Sequence, residues 1–171
     1  MALVPQVVDA VGEKVPVVAA GGLYDGRGLA AALALGADGV WIGTRFIATP
    51  EARAVNGYKD TLLATGEDGT TISRAYTGKT CRVVANEWTR HYDKNPGELK
   101  PFPQQAVASM QAGVNHLGYP TGTETDTTRE FYPAGQGVGA INELVPAGEL
   151  VRRIVSEAEA VLARVSKLSG R

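Results

Sequence analysis

The chain opens with apolar residues at helical spacing. Residues 4–11 place valines at i, i+3, i+4 and i+7, with Pro5 suited to the first turn and Gly12 to the stop. Residues 15–20 then form an apolar run without alternation, which is typical of a parallel strand buried on both faces. The pattern predicts an amphipathic helix followed by a buried strand.

A second unit of the same kind follows. Asp25 can cap a helix over residues 26–35, and Gly36 can end it. Another apolar strand over residues 38–42 comes directly afterwards. A strand, a helix and a strand in this short form make a right-handed crossover, the unit of both doubly wound sheets and barrels.

The later elements are less regular. A third helix is expected to begin with Thr49 as N-cap and Pro50 as first residue and to run to Leu63. Further predictions are two extended segments flanking a turn at residues 77–79 and helices near residues 87–90 and 104–112.

The C-terminal pattern predicts a long packing helix. From Pro146 an apolar stripe at helical spacing leads to Val165, with charged residues away from it. The stripe could instead be a dimer seam, although heptads are not sustained as in a coiled coil. Docking onto the rest of the protein is the preferred interpretation, and a homo-oligomer stays possible.

Two glycine corners end the first two predicted strands. Gly21-Gly22 follows one strand and Gly43-Thr44 the next. Backbone N–H groups without side chains in the way can surround a phosphate together with the Thr44 hydroxyl, and a following helix N-terminus adds partial positive charge. Barrels build their standard phosphate site in this way. The alternative is that these glycines serve tight turns only.

A dinucleotide fingerprint does not fit these glycines. Gly22, Gly26 and Gly28 cluster after a strand, but their spacing is not G-x-G-x-x-G. An acidic residue is also missing about 20 residues further on, where Gly43 stands.

Composition narrows the function classes. The 171 residues are 44% hydrophobic and 20% charged with a net charge of -1, so we expect a globular protein without a nucleic-acid footprint. No apolar run approaches a membrane span and no signal peptide is evident, so a cytoplasmic location is expected. The single Cys81 agrees with a reducing compartment and is a weak nucleophile candidate. We predict no metal site.

Several segments together resemble the nitronate monooxygenase (2-nitropropane dioxygenase) family. They span nearly the whole chain in the family's order, at residues 17–23, 25–28, 31–40, 43–46, 49–52, 78–79, 82–86 and 133–141. The resemblance implies an α/β fold, namely the C-terminal portion of an FMN-binding (β/α)8 TIM barrel with an appended, mostly helical lid region. It assigns 1–66 to the last barrel units, 67–132 to an insert or lid, and 133–171 to a closing segment and helix.

The resemblance also implies a cofactor and a reaction. FMN would be held through its phosphate by Gly21, Gly22, Gly43 and Thr44, and alkyl nitronates would be oxidised with O2. Gln136 is assigned a cofactor-side role, with a simple helix-start turn as the open alternative. An FMN-dependent enoyl reductase-like protein resembles the same loops, and a non-catalytic flavin- or phosphate-binding fragment is a further alternative.

The resemblance leaves the catalytic residues unassigned. In this family the first barrel strands, the flavin-ring contacts and a proton-abstracting histidine precede the matching segment. A whole barrel needs roughly 250 residues, so we expect a truncated chain that is inactive alone. His91 and His116 do not stand in the Gly-Gly-His setting of that base and are interpreted as surface or hydrogen-bonded histidines.

Overall fold

The structure is a computed structural model that describes residues 2–169, with the side chains of residues 13 and 169 left aside. It falls into two compact units, one formed by the residues up to Gly43 together with those from Val145 onward, the other by Thr44–Leu144. The first unit contains α1 Leu3–Val11, β1 Val18–Ala20, α2 Gly26–Ala34 and β2 Gly39–Trp41. The second contains α3 Thr44–Ile47, α4 Tyr58–Ala64, β3 Thr70–Ser73, β4 Cys81–Val84, α5 Glu87–Lys94 and α6 Gln104–Gln111. The closing α7, Ala147–Ser169, returns to the first unit, and 3-10 turns lie at Gly12–Lys14, Pro96–Glu98 and Gln136–Ala140.

A short parallel sheet organises the first unit. β1 and β2 pair in parallel, with Val18 opposite Gly39 and Ala20 opposite Trp41. Ala19 is buried in a small apolar core with Ala32 and Ala37, one from α2 and one from the loop after it. The predicted strand, helix and strand are confirmed, although both strands are shorter than the apolar runs suggested.

The ends of α2 follow the local sequence signals. Asp25 is the N-cap, and its carboxylate accepts hydrogen bonds from Arg27 N at 3.0 Å and Gly28 N at 3.1 Å. Gly36, at φ 91°, takes the left-handed conformation that ends helices. The predicted cap and stop are therefore both confirmed.

α7 packs against α2 through a face narrower than predicted. Leu150, Ile154 and Ala158 are buried, whereas Val151 and Val155 are exposed. At the contact, the Gly26 amide donates to Glu157 Oε2 at 3.0 Å. The predicted packing helix is present, but only one row of its apolar residues is buried, and the dimer seam stays an untested alternative.

The second unit is built around aromatic side chains. β3 and β4 form an antiparallel hairpin, as the two extended segments predicted. One core cluster includes the stacked rings of Tyr58 and Tyr132, and another includes those of Tyr76 and Phe131. The sequence pattern did not single out these rings as core.

One predicted helix start is wrong. Residues 49–55 form turns and irregular backbone, and the helix begins only at Tyr58, after Gly57 at φ 77°. Thr49 does not cap a following helix, because its hydroxyl donates backwards to Phe46 O at 2.8 Å and closes α3. The Thr-Pro pair indicates a helix start only from its nearest neighbours in sequence. The hydrogen bond from the Thr49 hydroxyl to the preceding turn uses the group that would have capped the helix.

The roles assigned to the three sequence segments stay predictions, including the lid role of residues 67–132. Within residues 2–169, no helix is long and apolar enough to cross a bilayer.

Candidate functional site

The glycine corners of the first unit lie at one edge of its sheet. β1 and β2 end at the paired residues Ala20 and Trp41, so Gly21-Gly22 and Gly43 follow on the same side. Gly21 and Gly22 have φ of 97° and 73°, a region that favours glycine. The carboxyl edge of a parallel sheet is the usual place for ligands in α/β proteins.

These corners are open. A methyl group built on Gly21, Gly22 or Gly43 would meet no other heavy atom within 4 Å. Gly26, by contrast, lies so close to α7 that any side chain would collide with it. The absence of side chains at the two corners thus leaves space outside the sheet and does not serve internal packing.

The corner amides also lack protein acceptors. Within the part of the chain that the structure describes, the N–H groups of Gly22, Leu23, Gly43 and Thr44 donate to no other protein group. Backbone donors left unpaired at a strand end must be satisfied by water or by a ligand. Unpaired backbone donors at a strand end are groups that can bind an oxyanion.

The sequence led us to expect that a helix N-terminus would add partial positive charge to the phosphate site, but the N-terminus of α2 is not available for this. Its first amides are already occupied, since Gly26 N donates to Glu157 and those of Arg27 and Gly28 donate to Asp25. Two carboxylates at this helix end disfavour a further anion there. α3 spans only four residues, so it adds little dipole. The loop amides are the donors that remain.

Thr44 and Gln136 lie in the second unit. The Thr44 hydroxyl accepts a hydrogen bond from Gly135 N at 2.9 Å, so its own proton is not used by that bond. Gln136 is exposed and begins a 3-10 turn directly after Gly135. This contact brings together Thr44 and the segment that carries Gln136, which are far apart in sequence.

Arg45 supports the position of Thr44. Its guanidinium is buried, and Nη1 donates to Ala48 O at 3.2 Å and to Glu143 O at 3.1 Å. These bonds hold the α3 turn, which begins at Thr44, against a distant loop. Sequence reasoning treated Arg45 only as part of the Gly-Thr-Arg-Phe segment and did not assign it this role.

Both histidines are hydrogen-bonded, as the sequence interpretation held. His91 lies on α5 and pairs with Glu98, and His116 pairs with Glu130, each at 2.8 Å. The carboxylate partners were not predicted, and Glu130 is fully buried. Nothing in the local sequence around Glu130 signals a pairing across 14 residues.

Cys81 is a poor candidate nucleophile. Burial raises the pKa of its thiol, which lowers the fraction of reactive thiolate at neutral pH. Within the described residues no group of three or more His, Cys, Asp or Glu side chains could hold a metal ion.

Comparison with known proteins identifies the family of the chain. The family model described as nitronate monooxygenase matches residues 1–157. A Staphylococcus aureus protein named as a probable nitronate monooxygenase is 37% identical over 120 residues, which cover 69% of this chain and 33% of that protein.

Two solved structures have the same fold. FabK from Thermotoga maritima superposes with a TM-score of 0.80 at 31% identity, over 97% of this chain and 50% of FabK. A nitroalkane oxidase from Streptomyces ansochromogenes superposes with a TM-score of 0.72 at 33% identity, over 94% of this chain and 44% of the oxidase. The chain thus spans between a third and a half of the length of these proteins. With an α/β fold shared by these structures and a family match over most of its residues, the chain belongs to the nitronate monooxygenase family.

Proposed function

We propose that this chain is the phosphate-binding portion of an FMN-dependent oxidoreductase that oxidises alkyl nitronates with O2. The open glycine corners at one sheet edge, whose amides have no acceptor among residues 2–169, are the observation that carries the proposal. We also propose that the complete protein closes these strands into a (β/α)8 barrel. Family membership and the shared α/β fold support this extension.

The residues present fit the phosphate end of FMN. The amides of Gly22, Leu23 and Gly43 would donate to the phosphate oxygens, and the Thr44 hydroxyl has a proton left to donate. Gln136 would lie on the cofactor side through the Thr44–Gly135 contact. Bound FMN would supply the redox chemistry between nitronate and O2.

The isolated chain is expected to retain little FMN and to show no nitronate turnover. A phosphate cradle alone makes few of the contacts that bind a whole cofactor, and the chain spans only part of its relatives' length. Flavin absorbance after purification and O2 uptake with a nitronate measure both properties. Robust turnover by the chain alone would contradict the proposal that the rest of the barrel is required.

A substitution at Gly43 tests the proposed phosphate site. The backbone of Gly43 lies outside the left-handed region and its surroundings are open, so Gly43→Val adds bulk without strain. In a longer family protein that contains this segment, Gly43→Val should abolish flavin retention. Gly97→Val is the matched control, since Gly97 is also in open space but belongs to the 3-10 turn Pro96–Glu98 and not to a glycine corner. Unchanged flavin content in Gly43→Val would rule out the phosphate assignment.

An FMN-dependent enoyl reductase-like protein is the second candidate. FabK superposes at a higher TM-score than the nitroalkane oxidase does, 0.80 against 0.72, so the fold does not favour nitronates. O2 uptake with a nitronate would support the first candidate. Oxidation of a reduced nicotinamide in the presence of an enoyl thioester would support the second. A flavin-loaded longer protein with neither activity would indicate a non-catalytic flavin-binding protein.

A further inference from the structure

The outer edge of the β3–β4 hairpin in the second unit is unpaired. β4 has a neighbour on each side, with β3 on one of them. On the far side, the Val84 amide donates to Tyr132 O at 2.9 Å. The Arg82 carbonyl accepts from Ala134 N at 3.2 Å on that same side. Within residues 2–169, β3 pairs with β4 alone, so the small sheet is open at β3.

The register of the hairpin fixes which backbone groups face the open edge. Antiparallel strands alternate between residue pairs that exchange hydrogen bonds and pairs that do not. Val84 and Arg82 direct their backbone groups away from β3. Thr70 and Ile72, which lie opposite them, therefore direct theirs outward as well. Among the described residues these outward groups have no hydrogen-bonding partner, so two N–H and two C=O groups can accept a further strand.

The side chains along this edge are also uncovered. Ile72 is 59% exposed although it is strongly apolar. A groove of about 260 Å³ adjoins the end of β3, and its lining includes Ile72 and Arg74 together with Tyr92 and Leu99. The groove leaves room for an added strand beside β3.

Charges of opposite sign stand at the two ends of the edge. Asp68 precedes Thr70 by two residues, Arg74 follows Ile72 by two residues, and both charged side chains are exposed. Within the described part of the chain neither makes an ion pair, and Arg74 uses only Nε, which donates to Gly78 O at 2.9 Å. Natural proteins often block an open edge with charged side chains. Here the opposite signs make the edge complementary to a reversed copy of itself.

We propose that β3 pairs with β3 of a second copy of this chain, antiparallel about a two-fold axis through Thr71. Ile72 then lies opposite the partner's Thr70 and exchanges two backbone hydrogen bonds with it. The symmetry repeats this pair, so four hydrogen bonds join the two hairpins into one sheet. Asp68 lies opposite the partner's Arg74, and Arg74 lies opposite the partner's Asp68.

Other alignments of the two edges lose the charge complementarity. A shift of two residues in one direction places the Asp68 carboxylate opposite the partner's Ile72. The same shift in the other direction leaves Arg74 opposite the partner's Thr70. A parallel pairing in register places each charge beside its own copy, which is destabilising. A short apolar peptide could use the same backbone groups, but it would not supply the two matching charges.

Sedimentation of the chain over a range of concentrations measures the association. The mass should rise toward twice that of the monomer. Amide hydrogen exchange at Thr70 and Ile72 should slow as the dimer forms, because these N–H groups face solvent in the monomer. Exchange at Thr71 and Val83, whose groups pair within the hairpin, is the internal reference. A chain that stays monomeric at millimolar concentration would overturn the proposal.

Charge exchange tests the register itself. Asp68→Arg and Arg74→Asp each bring like charges together twice in a dimer, so each should weaken dimerisation at least about 10-fold. An equimolar mixture of the two variants should regain the wild-type affinity, because both facing pairs of the mixed dimer again combine opposite charges. Asp60→Arg is the matched control, since it makes the same charge change at an exposed position on α4 and should leave dimerisation unchanged.

Ile72→Pro provides a test without a charge change. It removes an outward N–H group but no hydrogen bond of the hairpin, and proline is tolerated on edge strands. Dimerisation should be lost while the circular dichroism spectrum is kept. The charge variants alter only exposed side chains, so they decide the question even if the proline variant does not fold.

Association that survives Ile72→Pro, or that both charge variants leave unchanged, would overturn the proposal and assign the contact to another surface. Loss of association in both charge variants without recovery in their mixture would also overturn it. These measurements need no flavin, so their outcome is independent of the proposed function.

Discussion

Replacing Gly26 by alanine should destabilise the first unit, and more than the same change at Gly28 of the same helix. The added carbon would lie closer than 3.0 Å to Glu157 Cβ, Ile154 O and Ala158 N. Two of these three atoms belong to the backbone of α7, so no side-chain rotation relieves the collision. α7 would have to move away from α2 over its best-buried turn.

The size of the effect follows from three contributions. Overpacking of this kind costs about 1–3 kcal/mol, and separation of the helices would lose the Gly26–Glu157 hydrogen bond, worth about 1 kcal/mol. The helix preference of alanine over glycine returns up to about 1 kcal/mol. The expected net loss is about 1–3 kcal/mol, which lowers the melting temperature of a chain of this size by roughly 2–12 °C.

Urea unfolding followed by circular dichroism measures this loss, with Gly28→Ala as the matched control. Gly28 stands on the same helix, but the one close approach of its added carbon would be to Leu23 Cδ2, at 3.0 Å, which is the flexible end of a side chain. That variant should lie within about 1 kcal/mol of the wild type. Equal stability of the two variants would refute the close α2–α7 contact.

Three further predictions concern individual side chains or sets of like side chains. Asp25→Ala removes the N-cap of α2 and should cost about 1 kcal/mol in the same urea assay, whereas Asp25→Asn should cost less. Burial raises the pKa of the Tyr58, Tyr76 and Tyr132 phenols above the unfolded value. Their contribution to stability is therefore full below about pH 10 and lost as the pH rises further, so the unfolding free energy should fall there, and a flat alkaline limb would contradict this. The Cys81 thiol should react with Ellman's reagent more slowly in the folded chain than in urea, and equal rates would argue against its burial.

Local signals predicted the part of the fold that positions the glycine corners. The Asp25 cap, the Gly36 stop and the two apolar runs act over a few residues, and the structure contains all of them. The two glycine corners could be assigned to the ends of these strands for the same reason. The structure differs at Thr49, where the hydroxyl bonds to the preceding turn and the expected helix start is lost.

The sequence could not reveal contacts between distant segments. Glu130 and Gly26 look like an ordinary polar residue and an ordinary helix-start glycine, yet one is buried against His116 and the other lies against α7. The hydrogen bond from the Gly26 amide to Glu157 is also a long-range contact. Together with the Asp25 cap, which occupies the next two amides, it removes the helix-end contribution that the sequence suggested for the phosphate site and leaves the loop amides.

A titration of the nitrogen-15-labelled chain with FMN, followed through its amide resonances, tests the phosphate site at the glycine corners most directly. The signals of Gly22, Leu23, Gly43 and Thr44 should shift together and saturate, and inorganic phosphate should shift the same signals. Signals that stay in place at these four residues, or shifts confined to the start of α2 at Gly26, would contradict it.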